Sequence, residues 1–323
     1  MRRSVAHSHS QRSDDSPHAP LAVVFPGQGS QKPGMARDFF DQYSECRRIF
    51  ELASDSCGLD IADICFRDES RLALTEFQQP AILTAEIAML EALKVHHGFH
   101  PALFAGHSLG EYTALVAAGA YRLEDAVRIV RLRGKLMQQA VPAGTGAMTA
   151  LIHRDIDVTE LARFVARFEV DLANHNALDQ AVISGLHDQV AAAVAALRED
   201  EVWRKVKTIA LRVSAPFHSR HMWPVQEPLR AALAEVMTVD AWADVSVTSN
   251  TTGTFHVGSR DELEKALVKQ ATCPVQWVQN MRDLLERTGN VVEVGPGRPL
   301  RGFFASLGVQ ISSVTSLQSL SGD

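Results

Sequence analysis

The stretch Gly106-His107-Ser108-Leu109-Gly110 decides the fold of this chain. Four apolar residues, Ala102-Leu103-Phe104-Ala105, run into it. Glu111-Tyr112-Thr113-Ala114-Leu115-Val116-Ala117-Ala118, rich in helix formers, leads out of it. Strand, sharp turn and helix, in that order, make G-x-S-x-G a nucleophile elbow. The turn forces unusual backbone angles on the serine and brings neighbouring backbones close, so glycine is needed on both sides. The serine oxygen then stands at the tip, in front of a helix N-terminus whose unpaired N–H groups suit a developing oxyanion. The bare pattern also fits a glycine-flanked turn with a solvent-facing serine, and the strand–helix context is what favours the elbow.

Further apolar runs repeat the theme. Leu21-Ala22-Val23-Val24-Phe25, ended by Pro26-Gly27, reads as a buried parallel strand. Gly27-Gln28-Gly29-Ser30-Gln31 follows as a turn that allows close backbone approach. Val291–Val294, before Gly295-Pro296-Gly297, and Val309–Val314 complete the set, with a shorter strand at Val245–Ser249. Helices are expected between them. Pro80 opens one over Ala81–Val95, since proline fits a first turn. Another covers Leu123–Ala140, a third runs from Arg220 to Met237, and a fourth starts at Cys273-Pro274-Val275-Gln276-Trp277. Buried strands alternating with helices predict a doubly wound α/β sheet with ligands at the strands' carboxyl ends.

After Val141-Pro142-Ala143-Gly144-Thr145-Gly146 the elements shorten. Strand, helix, two strands, helix and strand between residues 147 and 213 give the ferredoxin-like order. The expected organisation is a large α/β-hydrolase-like subdomain, residues 20–146 and 214–318, with this small subdomain inserted. Residues 1–19, polar and rich in Ser, His and Arg, are expected to be a disordered tail, and residues 319–323 a flexible end. His7, His9 and His18 read as part of a solvated tail rather than a metal site, and His96, His97 and His100 as a solvated helix end.

The composition, 46% hydrophobic and 22% charged over 323 residues, is that of a globular protein, long enough to bury a core without staples. A net charge of −6 argues against a nucleic-acid binder, and no apolar run is long enough for a membrane span. The four cysteines form no C-x-x-C pair and read as reduced thiols of a cytoplasmic protein.

Two residues stand out chemically. The inner stripe of the Leu123–Ala140 helix reads Ala126, Ile129, Val130, Arg133, Met137, Ala140. A guanidinium on a core-facing stripe is expensive unless it meets an anion. By spacing alone it could snorkel out, pair with a structural carboxylate, or receive a ligand. His218, in Ser214-Ala215-Pro216-Phe217-His218-Ser219, lies in an apolar loop where the chain returns to the large subdomain.

Together these segments resemble a known family. Phe25-Pro26-Gly27-Gln28-Gly29-Ser30-Gln31, Gly106-His107-Ser108-Leu109-Gly110-Glu111-Tyr112, Arg133-Gly134-Lys135, Pro216-Phe217-His218-Ser219, Pro274-Val275-Gln276-Trp277 and Glu293-Val294-Gly295-Pro296-Gly297 match, in order and spacing, the malonyl-CoA:acyl carrier protein transacylases. These are kin of polyketide synthase acyltransferase domains. The resemblance spans residues 21–318. It implies ping-pong transfer of a malonyl group from malonyl-CoA to the phosphopantetheine thiol of an acyl carrier protein, discrete or within a synthase. It implies Ser108 as nucleophile, His218 as general base, the N–H groups of Gln28 and Leu109 as oxyanion hole, and Arg133 as the malonyl carboxylate site. Gln276 is expected to orient His218 through its main-chain carbonyl, and Phe217 to favour malonyl over the branched methylmalonyl group. No metal or cofactor is called for, nor a nucleic-acid or membrane partner, and a monomer is the family's habit. Fatty-acid synthesis and trans-acting polyketide synthesis both stay open; Asn174-His175-Asn176 and Gly295-Pro296-Gly297-Arg298-Pro299-Leu300 look somewhat closer to the latter. The rival is an editing hydrolase that clears misloaded carrier proteins, which needs the same serine and histidine but no carboxylate clamp.

Overall fold

The computed structural model describes residues 19–154, 156–236, 246–257 and 259–320. The expected tail up to residue 18, the helix end at Met237 and the strand start at Val245 lie outside the described residues.

The chain opens with β1 (Leu21–Phe25), α1 (Arg37–Gln42), α2 (Ser44–Cys57), α3 (Ile61–Phe66), α4 (Glu69–Leu72) and α5 (Thr75–His96). Next come β2 (Pro101–Gly106), α6 (Leu109–Ala117) and α7 (Leu123–Gln139). The second unit holds β3 (Gly146–Ile152), α8 (Val158–Ala166), β4 (Asp171–Ala177), β5 (Gln180–Leu186), α9 (His187–Glu199) and β6 (Lys207–Ala210). A 3₁₀ turn (Arg220–Val225) leads back through α10 (Gln226–Ala234), α11 (Arg260–Gln270), α12 (Trp277–Leu285), β7 (Val291–Val294), α13 (Pro299–Ser306) and β8 (Ser312–Val314).

Two sheets result. The first is parallel, in the order β2-β1-β7-β8. Strands buried on both faces favour apolar residues, and the central β1 and the adjoining end of β2 supply them. Val23, Phe25 and Phe104 point into one core, while Ala22, Val24, Leu103 and Ala105 point into the other. The second sheet is antiparallel, in the order β4-β5-β3-β6, with its own core around Leu161, Ile183 and Trp203. This is the ferredoxin-like arrangement.

Several boundaries differ from the sequence reading. α5 starts at Thr75, so Pro80 lies inside it rather than at its first turn. The first turn is secured upstream, where the N–H groups of Phe77 and Gln78 donate to Leu74 C=O at 3.0 and 2.9 Å. Pro80 then forgoes its own N–H bond and crowds the carbonyl of Glu76, four residues back, near the start of the helix. In place of a strand near residue 247 there is a parallel bridge from Val247 to Phe104 at the sheet's edge. The helix expected at Cys273 begins at Trp277. Residues 318–320 form a 3₁₀ turn, with Ser319 N–H and Oγ bonded to the Ser316 carbonyl.

Candidate active site

The elbow is built as its glycines require. A Cβ on Gly106 would stand 1.9 Å from the carbonyl carbon of Gly110, and one on Gly110 would stand 2.3 Å from Phe25 O. Ser108 is held at φ 53°, a left-handed conformation that a non-glycine residue adopts at a cost. What holds it is Asn250. Its Oδ1 accepts from Ser108 N–H at 2.6 Å, and its Nδ2 donates to Gly106 C=O at 2.7 Å. One carboxamide thus clasps the strand end and the nucleophile position together.

Ser108 Oγ lies 2.7 Å from His218 Nε2. His218 is also at positive φ, 56°. Its Nδ1 is 2.8 Å from the carbonyl oxygen of Gln270. A carbonyl can only accept, so the proton resides on Nδ1 and Nε2 offers its lone pair to the serine. Burial, and then the charge of Arg133, push the imidazole down to about 3, against partial support from the Gln270 carbonyl. The ring is therefore neutral and ready to take a proton. His107 is likewise pushed down by burial, to about 4, and its Nε2 meets Asn176 Oδ1 at 2.8 Å.

The carbonyl on Nδ1 belongs to Gln270 and not to Gln276. The oxygen of Gln276, at the N-cap of α12, is already committed to the first helical turn, where it accepts from Asn280 N–H at 2.9 Å. Its N–H donates to the main-chain oxygen of Asn250 at 2.8 Å. Gln276 therefore bears on the residue that clasps Ser108, not on the histidine.

Arg133 is 1% exposed on α7. Nη1 donates to Gln79 Oε1 and Nη2 to Gln270 Oε1, both at 2.9 Å, and Nη2 lies 3.4 Å from Ser108 Oγ. The guanidinium faces the Tyr112 ring at 5.3 Å, and its Nε has no partner among the described residues. Among these residues no carboxylate forms an ion pair with it. Burial lowers its affinity for its proton. The guanidinium is thus a desolvated cation whose hydrogen-bond partners among the described residues, Gln79, Gln270 and the Ser108 hydroxyl, are all neutral.

Gln28, Ser108, Arg133, Phe217 and His218 border one cavity of about 470 Å³, closed on the other side by Met148, Asn174 and Val182 of the second sheet. Leu109 stands behind Ser108 as the first residue of α6, where an N–H has no intrahelical acceptor. Among the described residues neither its N–H nor that of Gln28 has a hydrogen-bond partner. The Ser108 N–H, by contrast, is occupied by Asn250 Oδ1.

An elbow of this build on a parallel sheet, with a histidine on the serine oxygen, defines a serine enzyme that can form an acyl intermediate, and the comparisons narrow it to acyl transfer. The acyl transferase domain model matches residues 22–294. The malonyl CoA-acyl carrier protein transacylase of Bacillus subtilis (strain 168) is 38% identical over 299 residues, covering 91% of this chain and 92% of that protein. The crystal structure of the transacylase of that name from Clostridium perfringens superposes with a TM-score of 0.85 at 34% identity, over 94% of this chain and 95% of the other. A malonyl-transacylase solved in complex with a type II polyketide synthase acyl-carrier protein gives a TM-score of 0.86 at 34% identity, over 94% and 98%. The chain belongs to the malonyl-CoA:acyl carrier protein transacylase family. The editing-hydrolase alternative finds no support among these relatives. No helix among the described residues is long and apolar enough to cross a membrane.

Asn250, Gln270, Gln79 and Glu111 were not singled out by sequence reasoning. Glu111 sat inside the quoted elbow motif without a role. Adjacent glutamines immediately before Pro80 were the one available signal for Gln79.

Proposed function

We propose that the protein moves a malonyl group from malonyl-CoA to the phosphopantetheine thiol of an acyl carrier protein, in the cytoplasm, through an O-malonyl-Ser108 intermediate. The observation that carries this reading is Arg133, a buried cation with no ion-pair partner among the described residues, 3.4 Å from the serine oxygen. Its fork takes the free carboxylate of the malonyl group. Ser108 Oγ then faces the thioester carbonyl. His218 Nε2 takes the serine proton as Oγ attacks, and the N–H groups of Leu109 and Gln28 receive the oxyanion. Collapse breaks the C–S bond, and His218 returns its proton to the departing CoA sulfur. The carrier's thiol repeats these steps in reverse. Neutral acetyl is rejected because it leaves the guanidinium unanswered. Three buried free cysteines support the cytoplasmic placement.

Incubation with malonyl-CoA and holo carrier protein is expected to produce malonyl-carrier, with CoA released before the carrier binds. Obligatory ternary-complex kinetics would contradict it. Carriers of fatty-acid and polyketide origin, tested side by side, decide the pathway.

Phe217, 7% exposed at the cavity wall, sets acyl size in this reading. Malonyl-CoA is expected to load faster than methylmalonyl-CoA. Phe217→Ser is expected to narrow that gap by roughly tenfold, in the range a pocket gains or loses through small apolar groups. Equal loading of both by the parent protein would refute the assignment.

The pH profile follows from the neutral imidazole. With His218 held near 3 in the free protein, kcat/KM for serine acylation is expected to show no inflection at the ordinary imidazole value of 6.5. Substrate carboxylate neutralises Arg133, which is one of the causes of the depression. The acid limb of kcat should therefore lie above that of kcat/KM. Rate measurements from neutral to acid pH check both, and an inflection near 6.5 in kcat/KM would overturn the account.

A further inference from the structure

Arg133 meets an amide oxygen on each side, and an amide can turn either its oxygen or its NH₂ outward. Which end faces the guanidinium separates a held fork from a repelled one. Both amides are oriented from their far ends. On one side, Gln270 Nε2 donates to Glu111 Oε2 at 2.5 Å and to Ser108 C=O at 2.9 Å. The other oxygen of Glu111 lies 2.8 Å from His256 Nε2, and Glu111 itself is 1% exposed. On the other side the chain is longer. Gln78 Nε2 donates to Leu72 C=O at 3.0 Å, which turns Gln78 Oε1 toward Gln28 Nε2 at 2.6 Å. Gln28 Oε1 in turn accepts from Gln79 Nε2 at 3.1 Å, which leaves Gln79 Oε1 for Arg133. Each chain ends on a group that only accepts, a carboxylate or a main-chain carbonyl. Amide polarity is thereby passed inward, and both oxygens face the cation.

We infer that Glu111 and Gln78 are positioning residues for acyl-group selection: each fixes the direction of a hydrogen-bonded amide chain that aims the Arg133 fork at the substrate carboxylate. Among the described residues neither has a hydrogen bond of its own to Arg133; they reach it through Gln270 and through Gln28 and Gln79. The inference rests on the reading of Arg133 as the carboxylate site.

Glu111→Gln keeps the shape but removes the acceptor-only carboxylate, so the hold on Gln270 Nε2 passes to the Ser108 carbonyl alone and Gln270 Oε1 is aimed less firmly at Arg133. Gln78→Met removes the acceptor that orients Gln28. Loading of Ser108 from malonyl-CoA and from acetyl-CoA, by intact mass on the full chain, is the readout, with thermal unfolding as the check on folding. Each variant is expected to lose roughly tenfold of the malonyl-over-acetyl preference, the worth of one hydrogen bond to a charged group. The loss should sit in KM for malonyl-CoA, with acetyl loading at the parent rate. Parallel slowing of both acyl groups would assign these residues a merely structural role and overturn the inference. So would an unchanged preference in folded variants while Arg133→Ala loses it. If Arg133→Ala itself keeps the preference, the carboxylate reading fails instead.

Discussion

Replacing Ser108 by alanine is expected to abolish acyl-enzyme formation, lowering transfer by at least about 10⁴-fold while leaving the fold in place. The side chain contributes a hydroxyl to His218 and little else, since the elbow is held by main-chain and Asn250 contacts. A small deletion at a partly exposed tip should move stability by no more than about 1 kcal/mol. Intact-mass analysis after malonyl-CoA treatment should find no adduct, and the thermal midpoint should stay close to that of the parent. An adduct on the alanine variant would place the nucleophile elsewhere.

The second large effect is expected at Arg133. Arg133→Ala removes the cation and leaves the oxygens of Gln79 and Gln270 without their donors. Loss of one partner of a desolvated charge pair costs about 2–5 kcal/mol, so malonyl loading should fall roughly 10²–10³-fold. Neutral acyl groups should gain relative to malonyl, because the pocket no longer holds an unanswered charge. Arg133→Lys should not restore the parent rate, since an ammonium cannot reproduce the planar fork and its two amide contacts. Competition between malonyl-CoA and acetyl-CoA measures this directly. Parent-rate malonyl loading by the alanine variant would remove Arg133 from the site.

The elbow and the parallel strands were legible because local physics writes them into local sequence. Glycines at 106 and 110 are demanded by backbone crossings, and both faces of β1 are buried, so its apolar run is unbroken. Arg133 was visible as a charge on an apolar stripe, although its partners were not. The orienting carbonyl was misplaced at Gln276 because a main-chain oxygen leaves no mark in side-chain pattern. Nothing in the residue types tells the committed carbonyl at the N-cap of α12 from the available one at the end of α11. Asn250 and Gln270 escaped for another reason. They reach Ser108 from far along the chain, and only the tertiary fold brings them there. Pro80 misled because a proline can sit inside a helix whose earlier turn is already secured.

The central claim is that Ser108 carries the malonyl group between two thiols. It is tested most directly by trapping the protein after brief exposure to malonyl-CoA, mapping the adduct, and chasing it with holo carrier protein or with buffer alone. The account predicts one malonyl ester, on Ser108, that passes to the carrier thiol much faster than water removes it. An ester absent from Ser108, or one that hydrolyses as fast in buffer as the carrier discharges it, would contradict it.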